Sequence, residues 1–552
     1  MAILDRAAHL ERLKTQEFDL LVIGGGITGA GIARDAAMRG LSVACIEARD
    51  FSSGTSSKSS KLLHGGIRYL EQFHLQLVFE ASHERRLHSD FLSPHLAHPV
   101  PFMIPVYPWS PHGMLAMTCG VFLYDALAVF RNHGTRVMGR EKALSEEPRL
   151  ESKGLRGAAV YHDVVMDDSR LVIENVRSAG LHGATIANYV AMRGFDKDGA
   201  GKIRGVWVKD MTRNAADFRV RAKCYVNATG PWCDYIRRLD NPEAKPRLRP
   251  TKGVHLVLPP ERLGKKHAFV LTAKADNRVF FSIPWFGRTL VGTTDTDYRP
   301  STDGSLENLR AFDNEVDYLM ESVKRTFPGA DVSDGDICAT FAGLRPLVSE
   351  DADNPSAVSR EHLIWQEPSG LFNIGGGKYT TYRTMAQQMV DHVVKWLRAE
   401  YASFGGQRHE CRTGAEPLVT APDARERSAM KSALDEYAGV LGVDVLAHLQ
   451  GFYGARWQLV ADLAMARPEL RERVVPTEPN IRAEVAYARE FEMAAHAEDF
   501  FRRRTQLALK APLVRELGRV QGVAAEFGES VDARAVAEWQ GLQDSGLQAR
   551  RG

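Results

Sequence analysis

The strongest constraint on the fold of this chain is a glycine motif near its beginning, Gly24-x-Gly26-x-x-Gly29. The apolar run at 18–23 before the motif has the length of a strand, and residues 27–39 after it predict a helix. A second apolar strand is predicted at 41–47. A strand, a glycine turn, a helix and a second strand within about thirty residues predict one βαβ unit.

A βαβ unit with these glycines is typical of a dinucleotide site. Gly24 permits the tight turn, Gly26 lets the backbone approach a pyrophosphate, and Gly29 lets the helix pack closely on the strand. The helix N-terminus then presents unpaired N–H groups to the phosphates. Glu47 follows Gly29 by eighteen residues, close to the spacing of an acid on a ribose hydroxyl. A purely structural glycine turn is the alternative, and the complete βαβ context argues against it.

Two later glycine segments bear on which dinucleotide is bound. Residues 227–230 (NATG) follow a predicted strand at 223–227, and residues 375–377 (GGG) end another at 372–377. The first motif alone fits NAD as well as FAD. A long site built from three distant segments fits an extended, bound FAD, which is therefore the predicted cofactor.

The size and charge of the chain limit its organisation and its partners. Its 552 residues exceed what one hydrophobic core supports, so two or three domains are expected. A formal net charge of +2 gives no indication of nucleic-acid binding. The Gly-, Pro- and polar-rich stretch at 401–423 indicates a linker, and helical patterns beyond it predict a small all-α domain.

The most apolar stretch, 113–130, would barely span a bilayer and is interrupted by Asp125, so it is predicted to be a buried helix. The sequence opens without an apolar signal segment, and its six cysteines form no C-x-x-C pair. These features predict a cytoplasmic protein with free thiols. Any membrane contact is then expected to be peripheral.

Several segments together resemble the FAD-dependent glycerol-3-phosphate dehydrogenases, a family of the wider amino-acid-oxidase-like flavoproteins. They are 56–71, 227–232, 251–259, 281–298, 342–347 and 375–383, in the same order over nearly the whole chain, and the C-terminal helices also resemble that family. Residues 1–17, 193–222 and 299–340 look variable, and no chemistry is assigned to them.

The resemblance implies an α/β fold: a Rossmann-type FAD-binding domain, an antiparallel-sheet substrate (cap) domain and an all-α C-terminal domain. The implied domains are 1–75 with 160–240 and 341–398 for FAD, 76–159 with 241–340 for substrate, and 405–552 for the helices.

The activity that the resemblance implies is oxidation of sn-glycerol 3-phosphate to dihydroxyacetone phosphate by hydride transfer to FAD, with electrons passed to a membrane quinone. An oxidase that uses O2 on the same scaffold is the nearest alternative. An amine or amino-acid oxidase and a non-catalytic FAD-binding scaffold are further ones. The family resemblance also implies peripheral binding to the inner face of the cytoplasmic membrane, and a homodimer is one expectation for its assembly.

The expected reaction needs a base near neutrality and cations for a phosphate. His255 lies in an apolar run, where a histidine is usually part of the core, but the resemblance favours it as the base over His64. By the family pattern Arg345 and Lys378 contact substrate and flavin. Arg68, Tyr69 and Arg278 are the other predicted substrate contacts.

The predicted cofactor contacts include residues of the Ser- and Gly-rich segment 51–61, which by composition alone reads as a flexible linker. No metal site is predicted, because the histidine pairs at 83 and 88 and at 95 and 98 lack ligand partners. The full set of predicted cofactor contacts is Gly24, Gly26, Gly29, Glu47, Ser57, Ser60, Lys61, His64, Gly65, Val190, Thr229, Gly230, Gly376, Gly377, Lys378 and Thr380.

Two segments combine the side chains that a membrane surface attracts. Residues 500–504 (FFRRR) pair aromatic with basic side chains, and residues 102–109 (FMIPVYPW) are rich in aromatics and prolines. For the first, internal ion pairs or a solvated helix face are favoured over docking. For the second, a place in the substrate domain is favoured.

Overall fold

A computed structural model describes residues 4–542 of the chain, except 72, 132, 265, 275, 300–304, 307–308, 350–357, 360, 405–409 and 419–421. Within these residues the strands are β1 (Glu17–Ile23), β2 (Val43–Ile46), β3 (Leu62–Leu63), β4 (Ala97–Val106), β5 (Arg136–Gly139), β6 (Gly157–Met166), β7 (Thr185–Ala187), β8 (Val190–Lys197), β9 (Ile203–Asp210), β10 (Phe218–Asn227), β11 (Leu248–Leu258), β12 (Ala268–Thr272), β13 (Val279–Trp285), β14 (Arg288–Gly292), β15 (Thr296–Asp297), β16 (Ala339–Ser349), β17 (Val358–Ser359), β18 (His362–Gln366) and β19 (Leu371–Gly376).

The first of two sheets carries the predicted glycine turns. Its strands follow the order β18-β19-β10-β1-β2-β7, with β8 and β9 attached beside β10. The central strands β19, β10, β1, β2 and β7 run parallel. The residues of β2 are all buried, and β1 is nearly so, as expected of a parallel sheet covered on both faces. The three glycine segments follow the carboxyl ends of β1, β10 and β19, so they meet at one edge of this sheet.

The second sheet forms the wall that faces this edge. Its order is β17-β16-β11-β14-β13-β12-β4-β6-β3, with β15 beside β11 and β5 beside β6. The pairing of β12 with β4 is parallel, and the other pairs of this sheet are antiparallel. The long pairing of β11 with β16 sets His255 opposite Phe341 and Thr251 opposite Arg345.

Helices cover both sheets and make up the C-terminal part. The first six along the chain are α1 (Arg6–Thr15), α2 (Ile27–Met38), α3 (Leu75–Leu87), α4 (Met114–Leu127), α5 (Arg140–Glu146) and α6 (Asp168–Leu181). The others are Cys233–Asp240, Asp313–Thr326, Tyr382–Glu400, Ala424–Ala438, Val443–Tyr453, Trp457–Ala466, Arg482–Phe491, Ala497–Asp499, Leu507–Lys510, Leu517–Glu526 and Ala533–Trp539. The predicted domain bounds stay a prediction, and their last residues, 543–552, lie outside the described part of the chain.

The predicted burial of the helix at 113–130 is wrong. The helix forms as α4, but only Val121, Tyr124 and Asp125 within it are buried. Leu115 is 80% exposed and Phe130, just beyond the helix, is 73% exposed. Burial is predicted for an apolar run because most apolar runs in folded proteins are buried. The periodicity of the sequence does not show which neighbouring elements are present to cover the run. Within the described residues, no helix is both long enough and apolar enough to cross a bilayer.

The run at 500–504 is mostly buried, although the side chain of Arg502 is 28% exposed. Phe500 and Phe501 are fully buried, and Arg503 and Arg504 form buried ion pairs with Asp50. This is the internal ion-pair alternative that the sequence analysis favoured over docking. The second segment, 102–109, begins within β4 of the second sheet, where Phe102 is fully buried.

Candidate cofactor and substrate site

A cavity of about 710 Å³ opens where the glycine turns of the first sheet meet strands β11 and β16 of the second. This volume is within the range of cofactor and small-molecule sites, about 300–1,000 Å³. The predicted site residues that line it are Gly24, Gly26, Glu47, Ser60, His64, Tyr69, Val190, Thr229, Gly230, His255, Arg345, Gly376, Gly377, Lys378 and Thr380. The structure therefore brings most of the predicted cofactor and substrate residues to one cavity.

The first glycine turn leaves its backbone open to the cavity. Gly24 has φ +114°, which favours glycine, and a Cβ there would lie 2.7 Å from the carbonyl oxygen of Ala228. Gly26 is the N-cap of α2 and supplies no side chain to cap it. A helix N-terminus whose cap residue has no side chain fits a pyrophosphate, whose oxygens accept from backbone N–H groups at such a position. The residues present thus fit the phosphate part of FAD.

Glu47 holds the same turn from the end of β2. Its two carboxylate oxygens accept from the Gly25 N–H at 2.7 Å and from the Arg49 N–H at 2.9 Å. Burial raises the pKa of Glu47, and the two backbone N–H groups act in the opposite direction. Its carbonyl oxygen accepts from the N–H of Val190 at 2.7 Å. Glu47 and Val190 both line the cavity, and the predicted contact of Glu47 with a ribose stays a prediction.

The Ser- and Gly-rich segment 51–61 is packed against the cavity, not extended as a linker. Ser56 Oγ accepts from the N–H of Ile27 at 3.0 Å, at the first turn of α2. Lys58 lines the cavity, and its pKa is lowered to about 7 by burial and by the charges of Arg502 and Arg503. The segment thus supplies both an acceptor for the helix N-terminus and an amino group on the cavity wall.

His255 is the buried imidazole of the cavity. The residue is 3% exposed, its Nε2 lies 2.9 Å from Ser60 Oγ, and its ring stacks on Phe341 with centroids 4.7 Å apart. Its Nδ1 is buried and has no hydrogen-bond partner among the described residues. Burial, followed by the charges of Arg345 and Lys61, lowers the pKa of His255 to about 3, so the imidazole is neutral near pH 7.

A buried ion pair lies next to the ring that stacks on His255. Lys61 Nζ lies 2.5 Å from Asp168 Oδ1, and both side chains are fully buried. The same Nζ is 5.4 Å from the ring centre of Phe341, which stacks on His255. Asp168 also accepts from the hydroxyl of Ser59 at 2.7 Å, next to Ser60. Lys61 and Asp168 thus order the segment that carries Ser60.

Two further cations reach the cavity from different strands. Arg345 on β16 pairs with Asp295 at 2.9 Å and donates to Thr293 Oγ1 at 3.0 Å, and its side chain is 24% exposed. Lys378 follows β19, and its Nζ lies 3.6 Å from the ring centre of Tyr69. Because both cations line the cavity that contains His255, an anionic group of a substrate can be held beside the imidazole.

Hydrogen bonds to the backbone fix the segment around His64 and Gly65. Thr380 Oγ1 accepts from the His64 N–H at 3.1 Å and donates to its carbonyl oxygen at 3.2 Å. The Gly65 N–H donates to the hydroxyl of Tyr124 at 2.9 Å, and that hydroxyl donates to Asp163 at 2.7 Å. These bonds place the backbone of 62–66 along the cavity.

Some predicted residues do not line the cavity. Arg278 is 55% exposed and lies beside Asp276, donating to the carbonyl oxygen of Asp295, the residue that pairs with Arg345. Arg68 is exposed. The other predicted residues that do not line the cavity are Gly29 in α2, Ser57 and Lys61 in the segment 51–61, and Gly65 in the backbone segment described above. The roles predicted for all of these residues stay predictions.

Sequence reasoning missed several residues that line the cavity: Arg49, Ser56, Lys58, Arg193, Trp232 and Tyr379. Ser56 and Lys58 belong to segment 56–71 and Trp232 to segment 227–232, two of the segments that carry the family resemblance. Arg193 lies in a stretch to which no chemistry was assigned. Among the described residues, no group of three or more His, Cys, Asp and Glu could hold a metal ion.

Gly29→Val is expected to abolish FAD retention. A Cβ at Gly29 would overlap the carbonyl oxygen of Gly24, so α2 would have to move away from the glycine turn. The measurement is the ratio of flavin to protein absorbance after purification and after incubation with FAD. Gly120→Ala is the matched control, because a Cβ there meets nothing within 4 Å. A yellow Gly29→Val protein with the wild-type ratio would contradict this account of the turn.

Comparisons with known proteins agree with this geometry. A family profile described as "FAD dependent oxidoreductase" matches residues 19–392, and one described as "C-terminal domain of alpha-glycerophosphate oxidase" matches residues 411–530. The aerobic glycerol-3-phosphate dehydrogenase of Staphylococcus haemolyticus is 35% identical over 511 residues, which cover 92% of this chain and 89% of that protein. The glycerol-3-phosphate dehydrogenase of Synechocystis sp. is 36% identical over 518 residues, covering 91% of each.

A solved structure extends the agreement to the whole fold. The X-ray structure of the glycerol-3-phosphate dehydrogenase from Bacillus halodurans complexed with FAD has a TM-score of 0.78 and 29% sequence identity, and covers 99% of this chain and 98% of that chain. The predicted fold class and the FAD cofactor are confirmed. The chain therefore belongs to the family of FAD-dependent glycerol-3-phosphate dehydrogenases.

Proposed function

We propose that this protein oxidises sn-glycerol 3-phosphate to dihydroxyacetone phosphate and passes the electrons to a membrane quinone. The observation that carries the proposal is the meeting, in one cavity with the glycine turns, of a neutral imidazole and two cationic side chains: His255, Arg345 and Lys378. Oxidation of a secondary alcohol that carries a phosphate requires a base for the hydroxyl proton and cations for the phosphate, close to one another. The names of the relatives support the same substrate.

His255 accepts the proton of the substrate hydroxyl in this proposal. FAD held at the glycine turns would supply the acceptor for the hydride of the carbon that bears that hydroxyl. A pKa of about 3 makes the imidazole of the free site a weak base. The phosphate of the substrate raises it, because a nearby negative charge stabilises the imidazolium form. Substrate binding itself thus brings the base closer to the pKa that proton transfer requires.

Arg345 and Lys378 hold the phosphate. Arg345 is suited to a bidentate contact, and its bonds to Asp295 and Thr293 fix the direction of its guanidinium. Tyr69, whose ring lies under the Lys378 ammonium, limits the positions that this cation can take. The hydroxyl that reacts is then held at a set distance from the bound phosphate.

Anaerobic addition of sn-glycerol 3-phosphate to the purified holoenzyme tests the proposal. The flavin absorbance is expected to bleach in a single reductive half-reaction. Glycerol at the same concentration is expected to leave the absorbance unchanged. Equal bleaching by both compounds would mean that the cavity holds no phosphate. A failure of sn-glycerol 3-phosphate to bleach a flavin that dithionite does reduce would overturn the proposed substrate.

The electron acceptor separates the proposal from its alternative. An oxidase on the same scaffold releases hydrogen peroxide in proportion to substrate consumed, and the match of residues 411–530 to a domain of alpha-glycerophosphate oxidase is the observation that favours it. The proposed dehydrogenase is expected to reduce a soluble quinone analogue with little peroxide. We also propose that the protein acts while bound peripherally to the cytoplasmic face of the membrane.

Arg345→Ala is expected to raise the KM for sn-glycerol 3-phosphate by on the order of 10–100-fold, since a charge-assisted phosphate contact is lost from a partly exposed site. The rate of flavin reduction at saturating substrate should fall less. Arg278→Ala is the comparison variant, because Arg278 is 55% exposed and does not line the cavity. An unchanged KM in Arg345→Ala would remove Arg345 from the phosphate site.

A further inference from the structure

A second cavity, of about 600 Å³, lies in the part of the molecule that the second sheet builds. Its walls are residues 105–110 at the end of β4, residues 151–154, residues 271–274 at the end of β12, and the helix Asp313–Thr326 with the turn after it. It shares no lining residue with the cavity that contains His255, and the proposed reaction does not use it. A volume in the range of small-molecule sites, about 300–1,000 Å³, is large enough for a nucleotide.

The second cavity has an aromatic surface formed by Tyr107 and Trp109. Their rings stack with centroids 4.6 Å apart and planes at 8° to each other. Tyr107 is buried, and its hydroxyl donates to the carbonyl oxygen of Glu151 at 2.8 Å. The N–H of Glu151 donates to the carbonyl oxygen of Thr326 at 2.9 Å, which ties residues 151–154 to the helix. Tyr107 therefore fixes the Trp109 ring from one face, and the opposite face is the one that a ligand can reach.

Two lysines lie beside this ring. Lys274 Nζ is 4.9 Å from the ring centre of Trp109, over the face that Tyr107 does not cover, because the stacked rings leave no room between them. Lys153 belongs to the segment next to the ring, since a Cβ on its neighbour Gly154 would lie 3.7 Å from Cζ3 of Trp109. Both lysines are exposed, and neither has an ion-pair partner among the described residues. The second cavity thus combines an aromatic ring with two unpaired ammonium groups.

The acids of the second cavity are already engaged. Glu321 pairs with Arg325 at 2.5 Å, and the carboxylate of Glu151 accepts from the N–H of Lys153 at 2.7 Å. Four cationic side chains and these two acids line the cavity, so an anion is favoured there over a cation. An anionic ligand then meets Lys153 and Lys274 as its partners.

We propose that the second cavity binds a nucleoside diphosphate, with the base on the free face of Trp109 and the two phosphates on Lys153 and Lys274. Nucleobases stack on aromatic side chains, and ammonium groups make charge-assisted hydrogen bonds to phosphate oxygens. On binding, Lys274 exchanges its contact with the Trp109 ring for the phosphates, and the base takes the face that the ammonium leaves. A phosphate without a planar group would leave this face uncovered. The site lies beyond the proposed function and takes no part in the oxidation.

Calorimetric titration of the full-length holoenzyme with ADP tests the inference. The protein is kept saturated with FAD, because ADP is a part of FAD and would enter an empty cofactor site. Lys153→Ala combined with Lys274→Ala is expected to weaken ADP binding by about 10–100-fold, since two charge-assisted phosphate contacts are lost. Lys14→Ala combined with Lys202→Ala is the matched control, which removes the same charge from exposed positions outside the second cavity. This control should bind ADP as wild type does.

Inorganic pyrophosphate separates recognition of the base from recognition of the phosphates. Wild type should bind pyrophosphate about 10-fold more weakly than ADP, because the stacking on Trp109 is absent. Trp109→Leu should weaken ADP binding by a similar factor and leave pyrophosphate binding unchanged. The ratio of flavin to protein absorbance checks that each variant is folded and loaded.

Four results would overturn the inference. They are a wild type that does not bind ADP, equal ADP binding by wild type and the Lys153→Ala, Lys274→Ala variant, and ADP that is displaced by sn-glycerol 3-phosphate, which would assign it to the first cavity. The fourth is equal binding of ADP and pyrophosphate by wild type and by Trp109→Leu, which would mean that phosphates alone are recognised. None of these measurements involves turnover, so their outcome is independent of the proposed substrate.

Discussion

His255→Ala is expected to retain FAD and to slow anaerobic flavin reduction by sn-glycerol 3-phosphate by about 10²–10⁴-fold, the usual contribution of a positioned general base. FAD should stay bound because the imidazole packs on Phe341 and Ser60 and holds none of the glycine turns. Stopped-flow absorbance measures the rate, and the ratio of flavin to protein absorbance confirms that the cofactor is present.

His64→Ala is the matched comparison for this variant. Both histidines line the cavity, but His64 is bound to Thr380 through its backbone, so loss of its side chain should change the rate far less. A large loss in His64→Ala with a near-normal rate in His255→Ala would show that the base is misassigned. Ser60→Ala, which removes the hydroxyl 2.9 Å from His255 Nε2, should give a smaller loss than His255→Ala.

The parts of the fold that could be predicted from the sequence depend on local patterns. The turn at Gly24 follows from backbone conformations that other residues avoid, and strands β1 and β2 follow from short apolar runs on either side of a helix. The edge at which the glycine segments meet follows from the parallel direction of their strands. The turn and the two strands need no knowledge of distant contacts, whereas the meeting of the three segments depends on the pairing of distant strands.

The parts that could not be predicted depend on contacts between distant residues. Arg504 pairs with Asp50, which lies 454 positions earlier in the sequence, and no spacing rule predicts such a pair. The segment at 51–61 has the composition of a linker, yet Ser56 is fixed by the N-terminus of α2. The exposure of α4 depends on which elements fail to cover it, which is a property of the whole fold.

The candidate site was predictable in part for the same reason. His255, Arg345 and Lys378 were chosen through the family resemblance, because an isolated histidine or arginine carries too little information. The structure adds a physical reason to consider them together, because each lines the cavity that the glycine turns border. Lys58 lies in the matching segment 56–71, but the two arginine charges that lower its pKa, Arg502 and Arg503, are more than 400 positions away and are not announced by any local pattern.

Asp50→Ala is expected to destabilise the holoenzyme by about 3–5 kcal/mol and to release FAD at a lower temperature, because removing one partner leaves buried charges uncompensated. Arg504 donates to Asp50 at 2.8 and 2.9 Å and Arg503 at 2.7 Å, and all three side chains are at most 6% exposed. Asp50 directly precedes the segment that lines the cavity, so the C-terminal arginines fix the start of that segment.

Asp391→Ala serves as the control for this prediction. Asp391 also pairs with an arginine, Arg39, but its side chain is 55% exposed, and exposed ion pairs contribute about 0–1 kcal/mol. The measurement is the midpoint of thermal FAD release, followed by flavin fluorescence. Equal midpoints for Asp50→Ala and Asp391→Ala would mean that the buried cluster does not hold the cofactor segment.

The pH dependence of FAD release gives this prediction a second test. Burial alone would raise the pKa of Asp50, but the charges of Arg504 and Arg503 outweigh it and lower the pKa from 3.8 to about 2. A carboxylate with a lowered pKa contributes stability above its unfolded pKa, and that stability is lost as pH falls from about 4 toward 2. Asp50→Asn keeps the shape of the side chain without this titration. Its release midpoint should therefore be lower than that of wild type at pH 6, and the difference should shrink below about pH 4. A difference that stays constant down to pH 3 would show that the ionised carboxylate of Asp50 does not hold the C-terminal arginines in place.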